Sequence, residues 1–371
     1  MLQRMPYLIS MRKDGVKGTV PRQDILIVVH GPGRGRTVPT GAEFMRRVKQ
    51  RNPGFAGRIR FHRTGADVIN LDNVALIAFW LGDPLRQIYP ECYAEAAQIA
   101  AAAARLGLRS LNAPDALSNT SKSSQALIWT RDRVPSARSL AVRSREEVRA
   151  AIQQVGLPCI VRLDEIHCQR NVFIVRNERD VSTTVAAMQF PAVVSQMIDV
   201  REQYRISDPD RTSLFSRYHH KARAFVFNGN VIASHLFFSS SLIVGMSNST
   251  FALEDTRYRK LACKLGLRRR DLNDMIAADI AYFRTSVTHA DVLVGAVAAL
   301  GLDFAALDYS LLPGGQPMIW EANPFFHLPG GDKSVLSAAR GAVARVDASF
   351  DWMADNLEAA LAQACHETTA A

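Results

Sequence analysis

Apolar positions along the chain come first as short continuous runs and then at helical spacing. Ile25-Leu26-Ile27-Val28-Val29 is one such run, rich in β-branched residues, bounded by Asp24 before it and His30-Gly31-Pro32-Gly33-Arg34-Gly35 after it. A run of that length between turn signals predicts a buried parallel strand that enters a glycine-rich loop. A helix is expected over Gly41–Gln50 and a second strand over Val74–Trp80. The alanine-rich stretch Tyr93–Leu106 reads as a helix stopped by Gly107, the usual C-terminal signal. Leu108–Leu111 is a further strand, leading into the turn and helix cap Asn112-Ala113-Pro114-Asp115. Strands alternating with helices predict a parallel α/β sheet.

From Ser136 to Asp199 the order changes: helix Ser144–Val155, strands Cys159–Leu163 and Val172–Val175, a helix after Asp180, and strand Val193–Ile198. These make a small α+β lobe. Tyr218–Phe227 and Val231–Phe238 flank Asn228-Gly229, a strong short-range hairpin signal. Helices are expected at Thr256–Leu265 and His289–Leu300, then strand Phe304–Tyr309, the turn Pro313-Gly314-Gly315 and strand Pro317–Glu321. A length of 371 residues exceeds what one compact core holds. The expected division is a basic arm (1–23), an N-terminal α/β domain (24–120), a small lobe (121–200) and a larger C-terminal lobe with a helical tail (201–371).

Composition narrows the class. Hydrophobic residues at 48% and charged residues at 22% exclude a wholly disordered chain. A formal charge of +10 calls for an anionic partner, and no aromatic-rich basic motif points to nucleic acid. The five cysteines, Cys92, Cys159, Cys168, Cys263 and Cys365, are odd in number and form no CxxC pair, so they read as reduced thiols. Residues 1–20 lack the apolar core of a signal peptide and read as a flexible basic arm. Ala224–Leu253 has no charged residue, yet it contains Asn228-Gly229-Asn230, His235 and Ser239–Ser241, which reads as a hairpin and loop and not as a membrane span. A cytoplasmic protein is the expectation.

Candidate chemistry concentrates near the second hairpin. Asp308 and Glu321 would face each other on adjacent strands, and Glu321 and Asn323, two apart, would project to one side. Two carboxylates and an amide oxygen suit Mg²⁺ brought in on a nucleotide, with Mn²⁺ as the alternative ion; an ordinary hairpin with solvent-facing acids fits the same residues. The loop Gly31–Arg36 has neither dinucleotide-binding nor P-loop spacing and reads as a turn, with Arg34 and Arg36 as candidates for a substrate carboxylate. His30, His167 and His327 lack zinc spacing. Tyr204, Arg205 and the run Phe325-Phe326-His327 are candidate acceptor-pocket residues beside simpler packing roles.

Asp308, the thirteen-residue step to Glu321, and Glu321-Ala322-Asn323-Pro324 resemble the metal-binding end of the ATP-grasp superfamily of ligases, of the D-alanine:D-alanine ligase, glutathione synthetase and ribosomal-protein glutamate ligase type. Asn112–Lys122 is similar to the passage from the first domain to a lysine that reaches nucleotide phosphates. Gly156–Arg162 resembles the Gly-x-Pro strand of the small lobe, Val193–Asp199 the interlobe strand, and Ala222–Gly229 the strand with a phosphate-binding arginine. Together these segments span roughly Asp24 to Pro324.

The resemblance implies an ATP-grasp fold of the α/β (α+β) class, with an N-terminal pre-ATP-grasp domain, a small lid lobe and a larger C-terminal lobe. It implies a carboxylate–amine ligase that works through an acyl phosphate and releases ADP and phosphate. Lys122, Arg162 and Arg223 would bind the phosphates, Gln196, Met197, Ile198 and Asp199 the adenine, and Lys221 and Arg223 would act at the reacting centre. Asp308, Glu321 and Asn323 would hold Mg²⁺. The substrates would be small-molecule or peptide carboxylates and amines, with no membrane or nucleic acid involved; a homodimer is the oligomeric state common among such ligases.

Three departures keep a non-catalytic or regulatory Mg-ATP binder, and a kinase on the same fold, as alternatives. Arg162 stands where lysine is usual, and a planar fork meets phosphate differently from a point charge. Asp164–Asn171 contains no glycine where a glycine-rich lid is usual. Lys221 stands where related ligases often carry an acid. On the period-two rule His219, Lys221 and Arg223 share one strand face, either a phosphate-holding surface or a solvated hairpin edge.

Overall fold

The computed structural model of the chain describes residues 8–10, 22–34, 41–66, 68–166, 171–201, 214–245, 249, 269–312, 315–326 and 342–370. Its strands are β1 (Leu8–Ser10), β2 (Asp24–Val29), β3 (Ile59–Arg63), β4 (Val68–Asn70), β5 (Val74–Phe79), β6 (Arg109–Leu111), β7 (Ser139–Val142), β8 (Cys159–Leu163), β9 (Val172–Val175), β10 (Ala192–Gln196), β11 (His219–Phe227), β12 (Asn230–Ser239), β13 (Phe304–Leu311) and β14 (Pro317–Asn323).

The first sheet is all parallel, in the order β3-β2-β5-β6. Every residue of β5 and the central four of β2 are buried, as expected of continuous apolar strands covered on both faces. β3 carries Arg60, His62 and Arg63 and lies at the edge, so its polar pattern gave no strand signal. Leu8–Ser10, within the segment read as a flexible arm, is a strand that pairs in parallel with β4.

The second sheet is antiparallel, β7-β10-β8-β9, and so is the third, β12-β11-β13-β14. The β11–β12 turn has φ of 44° at Asn228 and 83° at Gly229, the two positive values that an Asn-Gly hairpin turn requires. The long uncharged stretch is thus hairpin and loop as far as residue 245, and among the described residues no helix is long and apolar enough to cross a membrane. The Tyr93–Leu106 helix starts earlier, at Pro90, because proline is accepted in the first helical turn. A helix at Lys122–Arg131, not anticipated from the sequence, begins at the N-cap Ser121, and the helical tail is Ala342–Ala370. The helix expected at 256–265 lies outside the described residues, as do Cys168 and Cys263, while Cys92, Cys159 and Cys365 are free thiols.

The cores divide the molecule unevenly. One apolar cluster joins Val28, Ile77 and Phe79 of the first sheet to Ala224, Val226 and Leu307 of the third. Another joins Ile25, Ile27 and Trp80 to Phe225, Phe227 and Phe304 and to Phe350 and Leu357 of the C-terminal helix. The first and third sheets therefore share their interior. The second sheet has a separate core of Val148, Ile152, Val161, Val181 and Val194. Separate cores are the condition for one unit to move against another.

Candidate functional site

A cavity of about 520 Å³ opens between the second and third sheets. Ile160, Val172, Met197, Ile198 and Leu242 give it apolar walls, and Lys122, Arg162, Lys221, Arg223, Asp308 and Glu321 give it charge. β11 lies inside the third sheet, between β12 and β13, so its cationic face is an interior wall and not a solvated edge. His219, Lys221 and Arg223 all reach the cavity, as period two requires.

Register sets the charged row. Arg223 pairs with Asp308 across β11–β13, and Asp308 pairs with Glu321 across β13–β14, which puts the three residues in line over three strands. One position further along, Tyr309 pairs with Ile319, so Trp320 is an extra residue on β14. Such a bulge re-aims side chains, and Ile319, Trp320, Glu321 and Asn323 all line the cavity. The Trp320 indole N–H donates to Ser310 Oγ at 2.8 Å.

Asp308 is 3% exposed. Lys221 Nζ donates to its Oδ2 at 2.8 Å, and Arg223 donates from Nε to Oδ1 at 2.7 Å and from Nη2 to Oδ2 at 3.1 Å. Burial alone would push the Asp308 carboxyl up, but Arg223 and Lys221 outweigh it and hold it below the usual carboxylate range. Burial likewise works against the charge on Arg223, and Asp308 reverses that effect, so the guanidinium is held more strongly protonated than usual.

The opposite wall is built differently. Arg162 projects from β8 with its Nε enclosed, and among the described residues its guanidinium makes no hydrogen bond and no ion-pair contact. Burial lowers its pKa, against the attraction of Glu321 and Asp164. Lys122 is buried; its ammonium donates to the Ile166 carbonyl at 2.8 Å and the Asp164 carbonyl at 3.4 Å, and stands 3.7 Å from Glu321 Oε1. Burial lowers its pKa, Glu321 opposes, and Arg162 adds to the lowering.

Two residues missed by sequence reasoning hold this end together. Gln125 accepts the Ala322 N–H at 2.8 Å and donates to the Ala322 carbonyl at 3.0 Å, and so fixes the backbone between Glu321 and Asn323. Its only sequence signal is the three-residue step from Lys122, which becomes a shared face once that segment is known to be a helix. The buried Asp164 carboxylate accepts from Ser123 N at 2.7 Å and Ser123 Oγ at 2.6 Å, which pins the start of the lid loop to the helix N-terminus. Residues 167–170 of that loop lie outside the described residues.

Of the expected adenine-binding residues, Gln196, Met197 and Ile198 line the cavity, and the Met197 N–H is taken by the Pro158 carbonyl at 3.3 Å. Asp199 is not in the cavity wall: its carboxylate accepts from Arg201, and His219 Nδ1 stands 3.5 Å away. Arg34 stands 3.6 Å from the buried Glu95 and does not reach the cavity. His30 is buried between Tyr89 and Phe325, with ring centroids at 4.6 Å and 6.1 Å, and burial lowers its pKa to about 4. The Gly82 N–H donates to His30 Nε2 at 2.7 Å; a Cβ at Gly82 would lie 2.7 Å from the Tyr89 ring, so only glycine permits this approach. Arg36, Tyr204, Arg205 and His327 lie outside the described residues.

The oxygen donors of Asp308, Glu321 and Asn323 are of the kind Mg²⁺ takes. Among the described residues no group of three His, Cys, Asp or Glu side chains is placed to hold a metal, so the amide of Asn323 is needed to complete a set. Both oxygens of Asp308 already accept from cations.

No protein-family model matches the chain, and no curated protein matches it in sequence. Solved structures do. The chain is similar to the ATP-grasp ligase PsnB complexed with minimal precursor, at 12% identity and a TM-score of 0.50, over 87% of this chain and 99% of that one. It is similar to D-cycloserine synthetase DcsG at 12% identity and a TM-score of 0.50, over 91% and 99%. The likeness is one of fold: the chain has the ATP-grasp fold, with the parallel and antiparallel sheets the motifs implied.

Proposed function

We propose that this ATP-grasp chain is an ATP-dependent ligase that joins a carboxylate to an amine through an acyl phosphate and releases ADP and phosphate. One observation carries the reading: Arg162, in the cavity wall, has no protein partner among the described residues. A half-buried cavity-wall guanidinium that no described oxygen bonds, with Glu321 and Asp164 attracting it only from a distance, gains from the oxygens of a bound polyanion. Lys122 beside it and Lys221 and Arg223 opposite surround the same space, so a triphosphate fits the charge while the apolar wall near Met197 and Ile198 suits a purine.

In the reaction, a substrate carboxylate oxygen attacks the γ-phosphorus and the bond to ADP breaks. The amine then attacks the acyl carbon, phosphate leaves, and the amine proton passes to solvent. The protein moves no proton of its own; it positions and neutralises. Arg162 and Lys122 would hold the phosphates from the small-lobe side, and Arg223 and Lys221 would face the transferring phosphoryl group. Glu321 and Asn323, with Asp308 beside them, would hold Mg²⁺, which when bound screens charge between β- and γ-phosphate oxygens. The separate core of the small lobe supports its role as a lid over the nucleotide. PsnB is complexed with a precursor and DcsG is a synthetase of a small molecule, so peptide and amino-acid acceptors are both in scope.

The test is ADP release against pools of amino acids and small peptides, followed by product mass. Ligation gives both reactants minus water; a phosphorylated product would mean a kinase instead. Glu321→Ala should lower turnover at least about a hundredfold with an unchanged circular dichroism spectrum, the scale of losing one electrostatic element of a phosphoryl-transfer site. Near-normal ADP release from that variant would remove the metal assignment.

A further inference from the structure

We propose that Lys221 takes the place of a divalent ion at Asp308, so that the site works with a single Mg²⁺, held by Glu321 and Asn323 and by the nucleotide. The inference rests on the ligase reading above and narrows its metal site.

Asp308 is the carboxylate a second ion would need, and both of its oxygens accept charge-assisted hydrogen bonds: Lys221 and Arg223 Nη2 on Oδ2, Arg223 Nε on Oδ1. The strands enforce this arrangement. Arg223 is the direct cross-strand neighbour of Asp308, and Lys221, two residues earlier, is on the same face of β11. An ion on Oδ2 would sit against the Lys221 ammonium in a nearly closed wall, where like charges repel most strongly. An ammonium is a compact point charge, the side chain best able to stand where a small cation would.

Glu321 Oε1 stands 3.7 Å from the Lys122 ammonium, a longer contact than those on Asp308, and Asn323 lies two residues further along β14. Glu321 and Asn323 flank Ala322, whose N–H and carbonyl are both held by Gln125. Among the described residues the Asn323 side chain has no hydrogen-bond partner.

Charge balance gives the same count. Among the described residues the cavity is lined by four cations, Lys122, Arg162, Lys221 and Arg223, and two carboxylates, Asp308 and Glu321, an excess of two positive charges. ATP carries about four negative charges near neutral pH, and one Mg²⁺ reduces that to about two, which the lining neutralises. A second Mg²⁺ would leave the enclosed site about two charges positive.

The experiment counts Mn²⁺ bound per nucleotide, by the electron paramagnetic resonance signal of free Mn²⁺, in the full chain saturated with a non-hydrolysable ATP analogue. The expected result is one Mn²⁺ per bound nucleotide in the unaltered protein and two in Lys221→Ala and Lys221→Met. Two ions in the unaltered protein would overturn the inference, and that count stands whether or not the variants fold. One ion in folded Lys221 variants would overturn it as well. A chain that binds neither nucleotide nor Mn²⁺ would remove the ligase reading itself, whereas nucleotide bound with two ions would leave that reading and remove this one.

Discussion

Arg162 and Arg223 face the same cavity from opposite walls and lead different lives. Arg223 spends its donors on Asp308, and Lys221 completes the cluster. Arg162 spends none on any described residue. The first arginine belongs to a wall that the protein neutralises through Asp308, the second to a wall where Glu321 and Asp164 act only from a distance. The proposed nucleotide contact rests on the second, because a guanidinium that makes no hydrogen bond to any described residue adds little to the fold.

That contrast breaks most visibly at Asp308. Asp308→Ala would leave Lys221 and Arg223 without their counter-ion, and stability should fall by about 3–5 kcal/mol, read from urea unfolding. Arg162→Met should behave in the opposite way. Removing a half-buried cation that makes no hydrogen bond to any described residue should leave the urea midpoint unchanged or raise it. Mg-ATP affinity should fall tenfold to a hundredfold, the loss of a charged hydrogen bond worth about 1.5–3 kcal/mol. Equal stability losses in the two variants would erase the distinction between the walls.

Acid sharpens the same division at the level of the lobes. Burial lowers His30 in the first domain to about 4 and His220 on β11 to about 3 from an ordinary 6.5. Both are neutral when folded and bind a proton more readily when unfolded. Their contribution is therefore complete above about 6.5 and is lost as pH falls toward the folded values. From pH 7 to pH 5 each should cost the shared core about 2 kcal/mol. No described residue of the small lobe is a histidine, so amide exchange there should change less than in β5 and β11. Equal loss of protection in both would contradict the separation of cores.

The smallest effect lies where the small lobe meets the helix below it. Ser123→Ala removes the 2.6 Å bond to Asp164 and should cost about 1.5 kcal/mol in thermal unfolding. Mg-ATP affinity should change less than in Arg162→Met.

Much of the fold is legible in the chain's own pattern. Continuous apolar runs gave β2 and β5, Asn228-Gly229 gave the β11–β12 turn, and Asp308, Glu321 and Asn323, singled out by their spacing, all line one cavity. What escaped has a common cause. β3 is an edge strand that carries Arg60, His62 and Arg63, and the extra residue Trp320 exists only relative to β13. Gln125 reaches Ala322, and Lys221 reaches Asp308, across sheets and not along the chain. Pairings at that separation leave no local pattern, so the sequence offered four candidate phosphate-binding cations without showing that Lys221 and Arg223 share Asp308 and that Lys122 is held by two carbonyls and Glu321.

Calorimetric titration of Mg-ATP into the unaltered chain and into Arg162→Met tests the central claim most directly. The expected result is one nucleotide per chain in the unaltered protein and affinity at least about tenfold weaker in an equally stable variant. No binding to the unaltered chain, or equal affinity in the two proteins, would contradict it.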